Sequence, residues 1–153
     1  MRNSNKKLTK TLIGAAGVHF VVSQLSLRGL VALPTIRNTA GIDILVSEPD
    51  GSGQANLQVK TASKRRDYWP TSGPERCLKG SRSFYVFVRY LPDEERFEAF
   101  LESASNVAKQ VQENLLDYQK RGLKNFTFWE LPSATKEIEK LRKKWKDWRP
   151  PPI

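Results

Sequence analysis

The chain has 153 residues, 39% hydrophobic and 27% charged, which fits a single domain over residues 1–153 with a sizeable core and leaves no room for a second catalytic domain. One cysteine, Cys77, and one histidine, His19, exclude an internal disulfide and a thiolate zinc cluster, and admit a Ser-His-Asp triad only if His19 serves it. A net charge of +10 and a pI near 9.9 favour a polyanionic partner.

The basic stretch from Met1 to Lys10 leads into an amphipathic helix rather than a cleavable signal segment. No apolar run approaches the length that crosses a bilayer. A cytoplasmic protein without a membrane partner is expected. The first helix is predicted from Thr9 to Arg28, stopped by Gly29. Ala15, Val18, Val21, Val22 and Leu25 form one apolar stripe, and Ile13, Ala16, Phe20 and Leu27 a second on the other side, so packing on both flanks is expected. Leu30 to Ile36 reads as a strand in which Pro34 implies an edge or a bend.

Two strands follow, Ile42 to Val46 and Ala55 to Lys60, joined by the turn Asp50-Gly51-Ser52-Gly53. Side chains alternate faces along a strand. Asp43, Gln58 and Lys60 are therefore expected on one face, opposite Ile42, Ile44, Val46, Leu57 and Val59. A hairpin centred on Gly51-Ser52 sets Asp43 opposite Lys60. A two-residue change of register keeps the three polar groups together, whereas a single-residue bulge separates them. A carboxylate, an amide carbonyl and an ammonium on one face suit metal and phosphate chemistry.

Ala62 to Ser83 contains Pro70, Gly73, Pro74 and Gly80 without a clear period, and reads as a long loop. It carries Lys64, Arg65, Arg66, Arg76, Lys79 and Arg82, with the aromatics Tyr68 and Trp69. Two further basic clusters occupy the ends: Arg2, Lys6, Lys7 and Lys10 at the start, and seven cations from Lys136 to Arg149. Phe84 to Tyr90 is the strongest strand and is expected to be central; Pro92 to Glu95 turns it into Arg96 to Leu101. A helix from Ala104 to Arg121 follows, capped by Ser103 or Ser105 and ended by Gly122. The core is expected over about 9–121, with a helical extension over about 133–149. In that extension Ile138, Leu141, Trp145 and Trp148 form a narrow stripe suited to core packing or a dimer contact.

The order helix, three strands, loop, strand and helix, with Asp43 and Gln58-Val59-Lys60, resembles the PD-(D/E)XK nuclease superfamily. Gln58-Val59-Lys60 resembles the variant in which glutamine replaces the second acid, as in Mrr-type restriction nucleases. The surroundings Gly41-Ile42-Asp43-Ile44-Leu45-Val46 and Leu57-Gln58-Val59-Lys60-Thr61 are similar to those of small uncharacterised bacterial members. The resemblance covers roughly Thr9 to Tyr90. It implies an α/β fold with a restriction-endonuclease-like core, a mixed central sheet flanked by helices, to which the C-terminal helix is an addition.

The resemblance also implies a nuclease, a Mg²⁺-dependent (or Mn²⁺-dependent) endonuclease hydrolysing DNA phosphodiesters, with Asp43, Gln58 and Lys60 catalytic. Asp43, the Gln58 side-chain carbonyl and the Val59 backbone carbonyl would hold the metal, and Lys60 would orient or deprotonate the attacking water. Lys64, Arg65, Arg66 and Arg82 would track the nucleic-acid backbone, with Tyr68 or Trp69 stacking on a base. A homodimer would suit cleavage of both strands.

Many members carry a glutamate on the first helix after a glycine; here Gly17 is followed by Val18 and His19. His19 could replace it as a neutral nitrogen ligand or a base, although a lone histidine on a helix flank beside Ser23 and Ser26 is more often structural or solvated. The alternative to an enzyme is a nuclease-fold protein without catalysis that binds DNA or RNA, with DNA the preferred partner in either reading.

Overall fold

The computed structural model describes residues 8–36, 41–63 and 65–153. Arg2, Lys6, Lys7 and Lys64 lie outside the described residues. The chain runs α1 (Lys10–Leu27), β1 (Val31–Pro34), β2 (Ile44–Ser47), β3 (Gln54–Ala62), β4 (Tyr68–Pro70), β5 (Ser83–Leu91), β6 (Arg96–Ser103), α2 (Ala104–Lys120), β7 (Phe128–Glu130) and α3 (Thr135–Asp147). Five strands form one sheet in the order β1-β2-β3-β5-β6, and β4 pairs separately with β7. Only β3 and β5 run parallel in the large sheet. The result is the expected α/β fold, a mixed central sheet flanked by helices with an added helix at the C-terminal end. Among the described residues no helix is long and apolar enough to cross a membrane.

The sheet has an apolar core on each face. Val21 and Leu25 of α1 pack on Ile44, Leu57, Val86, Val88 and Leu101. Val107 and Val111 of α2 pack on Tyr85, Phe87 and Phe100 of the other face, together with Trp69 and Trp129. Strand β5 is therefore interior and covered on both sides, which explains its unbroken apolar run. Strand β1 forms an edge, as Pro34 implied.

Helix α1 begins where the Thr9 hydroxyl accepts the Leu12 N–H at 3.3 Å and ends before Gly29, at φ +79°. Its buried line is Ile13, Gly17, Val21 and Leu25. The expectation of two packed flanks is corrected: Ala15 and Ala16 are exposed and Leu27 is 83% exposed. Gly17 hides the reason, because its missing side chain is the contact. A Cβ there would lie 1.9 Å from Thr61 Oγ1, so α1 rests directly on β3.

The segment after β3 is not the irregular loop expected. β4 pairs Trp69 with Trp129 of β7, and Pro74–Arg76 forms a short 3-10 turn. Trp69 is 1% exposed, packs on Phe87, Phe100 and Trp129, and donates its indole N–H to the Val88 carbonyl at 2.9 Å. It belongs to the core and cannot stack on a base. Its partner strand lies sixty residues downstream, beyond the reach of any local pattern.

Helix α3 runs along β6. Ile138 and Leu141 pack on the core under α2, while Trp145 and Trp148 are buried in the core under α1. The aromatic stripe is thus internal, and a dimer would have to use another surface. The tail then crosses to the β2–β3 hairpin. Arg149 pairs with Glu48 at 2.6 Å, and Ile153 donates its N–H to Ser52 O at 2.9 Å.

Candidate active site

The observed pairs Ile44 with Leu57 and Ser47 with Gln54 centre the hairpin between Asp50 and Gly51, one position earlier than expected. That shift moves each β2 residue two places along β3. At Asp43 the ladder slips again by one: its N–H donates to the Leu57 carbonyl at 2.8 Å, although Leu57 is already the partner of Ile44. Two consecutive residues thus address one, as in a bulge. The Asp43 side chain then takes the next ladder position, where Oδ2 accepts the Val59 N–H at 2.7 Å.

This places the carboxylate at the open edge of β3, just past the start of β2. Because the Leu57 carbonyl faces β2, the peptide of Val59, two residues on, faces the same side. The Val59 carbonyl therefore points toward the edge that Asp43 occupies. The amide of Gln58 reaches Gly41, with Nε2 4.0 Å from the position a Cβ would take there. Gln58 and Lys60 lie beside Tyr85 and Phe87 in the parallel ladder and share their side of the sheet.

Burial pushes the Asp43 carboxyl above its ordinary value, against the opposing pull of the Val59 hydrogen bond and the Lys60 charge. Lys60 also acts electrostatically on Cys77, whose thiol burial pushes up, unlike an activated nucleophile. Tyr85 beneath is pushed up to about 12 by burial, and its hydroxyl accepts the Leu78 N–H at 2.9 Å.

A groove of about 510 Å³ opens at this edge on the α1 side of the sheet. One wall is the N-terminal half of α1, with Lys10, Gly14, Val18 and His19. The other is formed by Pro34 to Ile36 with Ile42 and Asp43, and Val59 lines it as well. Gln58 and Lys60 are not among its lining residues. The structure therefore gathers Asp43, Val59 and His19 around the groove and leaves Gln58 and Lys60 on the opposite side of β3. His19 reaches the groove because Gly17 seats α1 on Thr61. Lys10 lines it too, a residue that sequence reasoning counted only within a basic cluster.

The nucleic-acid-binding candidates divide. Arg65 and Arg66 follow the end of β3 nearest Lys60; Arg65 pairs with Glu94, and the Arg66 guanidinium lies 5.3 Å from the centre of the Tyr68 ring. Tyr68 is 39% exposed. Arg82 lies beside the other end of β3, donating to the carbonyls of Pro151 at 3.0 Å and Pro152 at 2.6 Å. Gln54, which it also approaches, is six residues from Lys60, about 20 Å along a strand.

At the groove edge the Asp43 carboxylate and the Val59 carbonyl are hard oxygen donors of the kind a hard cation takes, while the Gln58 amide lies on the other side of β3. They supply a single formal charge. Among the described residues no group of three or more His, Cys, Asp or Glu could hold a metal ion.

No family model and no curated protein matches the chain. Among solved structures it is similar to the bacterial homing endonuclease I-Ssp6803I, with 14% identity over 65% of this chain and 68% of that chain, at a TM-score of 0.46. A likeness of that degree carries no argument about chemistry.

Proposed function

We propose that this chain is a metal-dependent nuclease of the PD-(D/E)XK kind, in its glutamine variant, that hydrolyses DNA phosphodiester bonds in the cytoplasm. The observation that carries the reading is the Asp43 carboxylate held at the open edge of β3 by the Val59 N–H, within electrostatic reach of Lys60 across the strand. In this reading Asp43, the Gln58 carbonyl and the Val59 carbonyl hold Mg²⁺ or Mn²⁺, which when bound supplies charge to a phosphate. Lys60 orients the attacking water and offsets charge that develops on the scissile phosphate. Arg66 and Tyr68 guide the strand beyond the site.

A second reading is favoured by the single carboxylate. With one formal charge and a neighbouring ammonium, metal affinity is low, and the fold would serve as a catalytically silent DNA- or RNA-binding module. A homodimer would cut both strands in the first reading and extend the basic surface in the second.

The test is cleavage of labelled single-stranded, duplex and branched DNA, with Mg²⁺ or Mn²⁺ against EDTA, by wild type and Asp43→Ala. Metal-dependent cutting that vanishes in Asp43→Ala is the expected result. No cutting, with equal salt-sensitive binding by both proteins, would establish the binding module instead.

A further inference from the structure

We propose that His19 is the general acid of this hydrolysis, donating its proton to the nucleoside oxygen that leaves phosphorus; the assignment rests on the nuclease reading above. Among the described residues, the charged or titratable side chains lining the groove are Lys10, His19 and Asp43. His19 is exposed, and no hydrogen bond, ion pair or ring contact engages it among the described residues. An exposed imidazole on the groove wall is placed to meet a ligand there. Its place on the wall is not accidental to the fold. Gly17 is seated against the Thr61 side chain, and Thr61 is two residues from Val59, so the level of His19 beside the site is set by the close approach of the α1 backbone to that side chain.

The geometry assigns the role. Asp43 stands at the edge of β3, with Lys60 on the sheet face away from α1 and His19 on α1 itself. A phosphodiester seated at that edge has an ammonium on one side and an imidazole on the other. In-line displacement places the attacking water and the leaving oxygen on opposite sides of phosphorus. If Lys60 orients the water, the leaving oxygen faces His19. Imidazole is the side chain suited to proton donation near neutral pH. Among the described groove residues, Pro34, Thr35, Ile36, Ile42 and Val59 carry no titratable side chain, Asp43 is a metal ligand in this reading, and Lys10 lies nine residues away on α1, about 14 Å along the helix axis.

The step balances. The water oxygen bonds to phosphorus and its proton passes to solvent. The bond from phosphorus to the nucleoside oxygen breaks, and the electron pair left on that oxygen takes the imidazolium proton, which solvent restores.

The experiment compares wild type, His19→Ala and His19→Gln on one oligonucleotide with Mg²⁺, carrying either the normal oxygen or a bridging sulfur at the leaving position. The end groups of the wild-type products show which bridging atom that is. A thiolate leaves without a proton. The variants should cut the oxygen substrate at least about 100-fold more slowly and the sulfur substrate at the wild-type rate, with unchanged melting temperatures. Equal losses on both substrates, or no loss on either, would overturn the assignment while leaving the nuclease reading intact. A wild type that cuts neither would overturn that reading and this assignment together.

Discussion

The Asp43 carboxylate and the Val59 amide are joined by a 2.7 Å hydrogen bond in which a side chain takes the place of the next residue of β2. Strand β2 begins at Ile44, so β3 would otherwise present a bare N–H at this point. The bond holds the carboxylate at the sheet edge, where the charge meets a half-buried surface rather than open water.

That charge should destabilise the fold. Burial raises the Asp43 pKa in the folded protein above its ordinary value of 3.8. The folded state therefore holds the proton more tightly than the unfolded chain. The associated stability is complete below the unfolded value and is lost as pH rises through the folded one. Asp43→Asn keeps an acceptor for Val59 and removes the charge, so at neutral pH it should melt above wild type while losing activity. The gap should close as pH falls below 3.8. A variant that melts below wild type at neutral pH would mean that the ionised carboxylate stabilises the fold.

Gly17→Ala sets helix propensity against contact. Alanine gains about 1 kcal/mol in a helix interior. Its Cβ would lie 1.9 Å from Thr61 Oγ1 and 2.9 Å from Thr61 Cβ, and forcing α1 away should cost about 1–3 kcal/mol. A net loss of stability is expected in urea denaturation, partly recovered by adding Thr61→Ala. Stabilisation by Gly17→Ala alone would show that the helix moves freely on β3.

The neighbours Tyr68 and Trp69 should separate binding from stability. Trp69→Ala removes a fully buried ring and should cost about 3–5 kcal/mol in chemical denaturation. Tyr68→Ala should cost less and weaken single-stranded DNA binding at least about fivefold, the lower end of one base-stacking contact. Fluorescence titration reads the affinity, and an unaltered affinity in Tyr68→Ala would remove this residue from the interface.

Arg82 and Arg66 make a similar contrast. Arg82 is occupied by the Pro151 and Pro152 carbonyls, so Arg82→Ala should lower the melting temperature and leave the salt dependence of DNA binding unchanged. Arg66→Ala should reduce the slope of log affinity against log salt by about 0.7–0.9, the value of one phosphate contact. A reduced slope in Arg82→Ala would mean that the tail releases its arginine to the nucleic acid.

The elements of the sheet were legible because their signals are local. Alternation in Ile44–Val46 and Leu57–Val59, the helix start near Thr9, the stop at Gly29 and the apolar run of β5 each depend on neighbours in sequence. The acid, the amide and the lysine were legible as residue types for the same reason. Their arrangement was not. A slip at Asp43 depends on where the hairpin turns and where β2 begins, and neither is set by the residues that slip.

The segment after β3 is the plainest case of tertiary control. Its prolines and glycines read as a loop because the partner of β4 lies at Phe128–Glu130. Pairing with that distant strand turned Trp69 from a candidate base-stacking surface into core. In the same way, Gly17 carried no apolar signal, yet its contact with Thr61 decides the level at which His19 meets the groove. The sequence by itself determined the strand and helix periods, the basic surplus and the presence of Asp43, Gln58, Val59 and Lys60. Only the tertiary structure decided where Asp43 stands relative to the two faces of β3, because a one-residue slip at a sheet edge is a matter of backbone hydrogen bonds between separate strands.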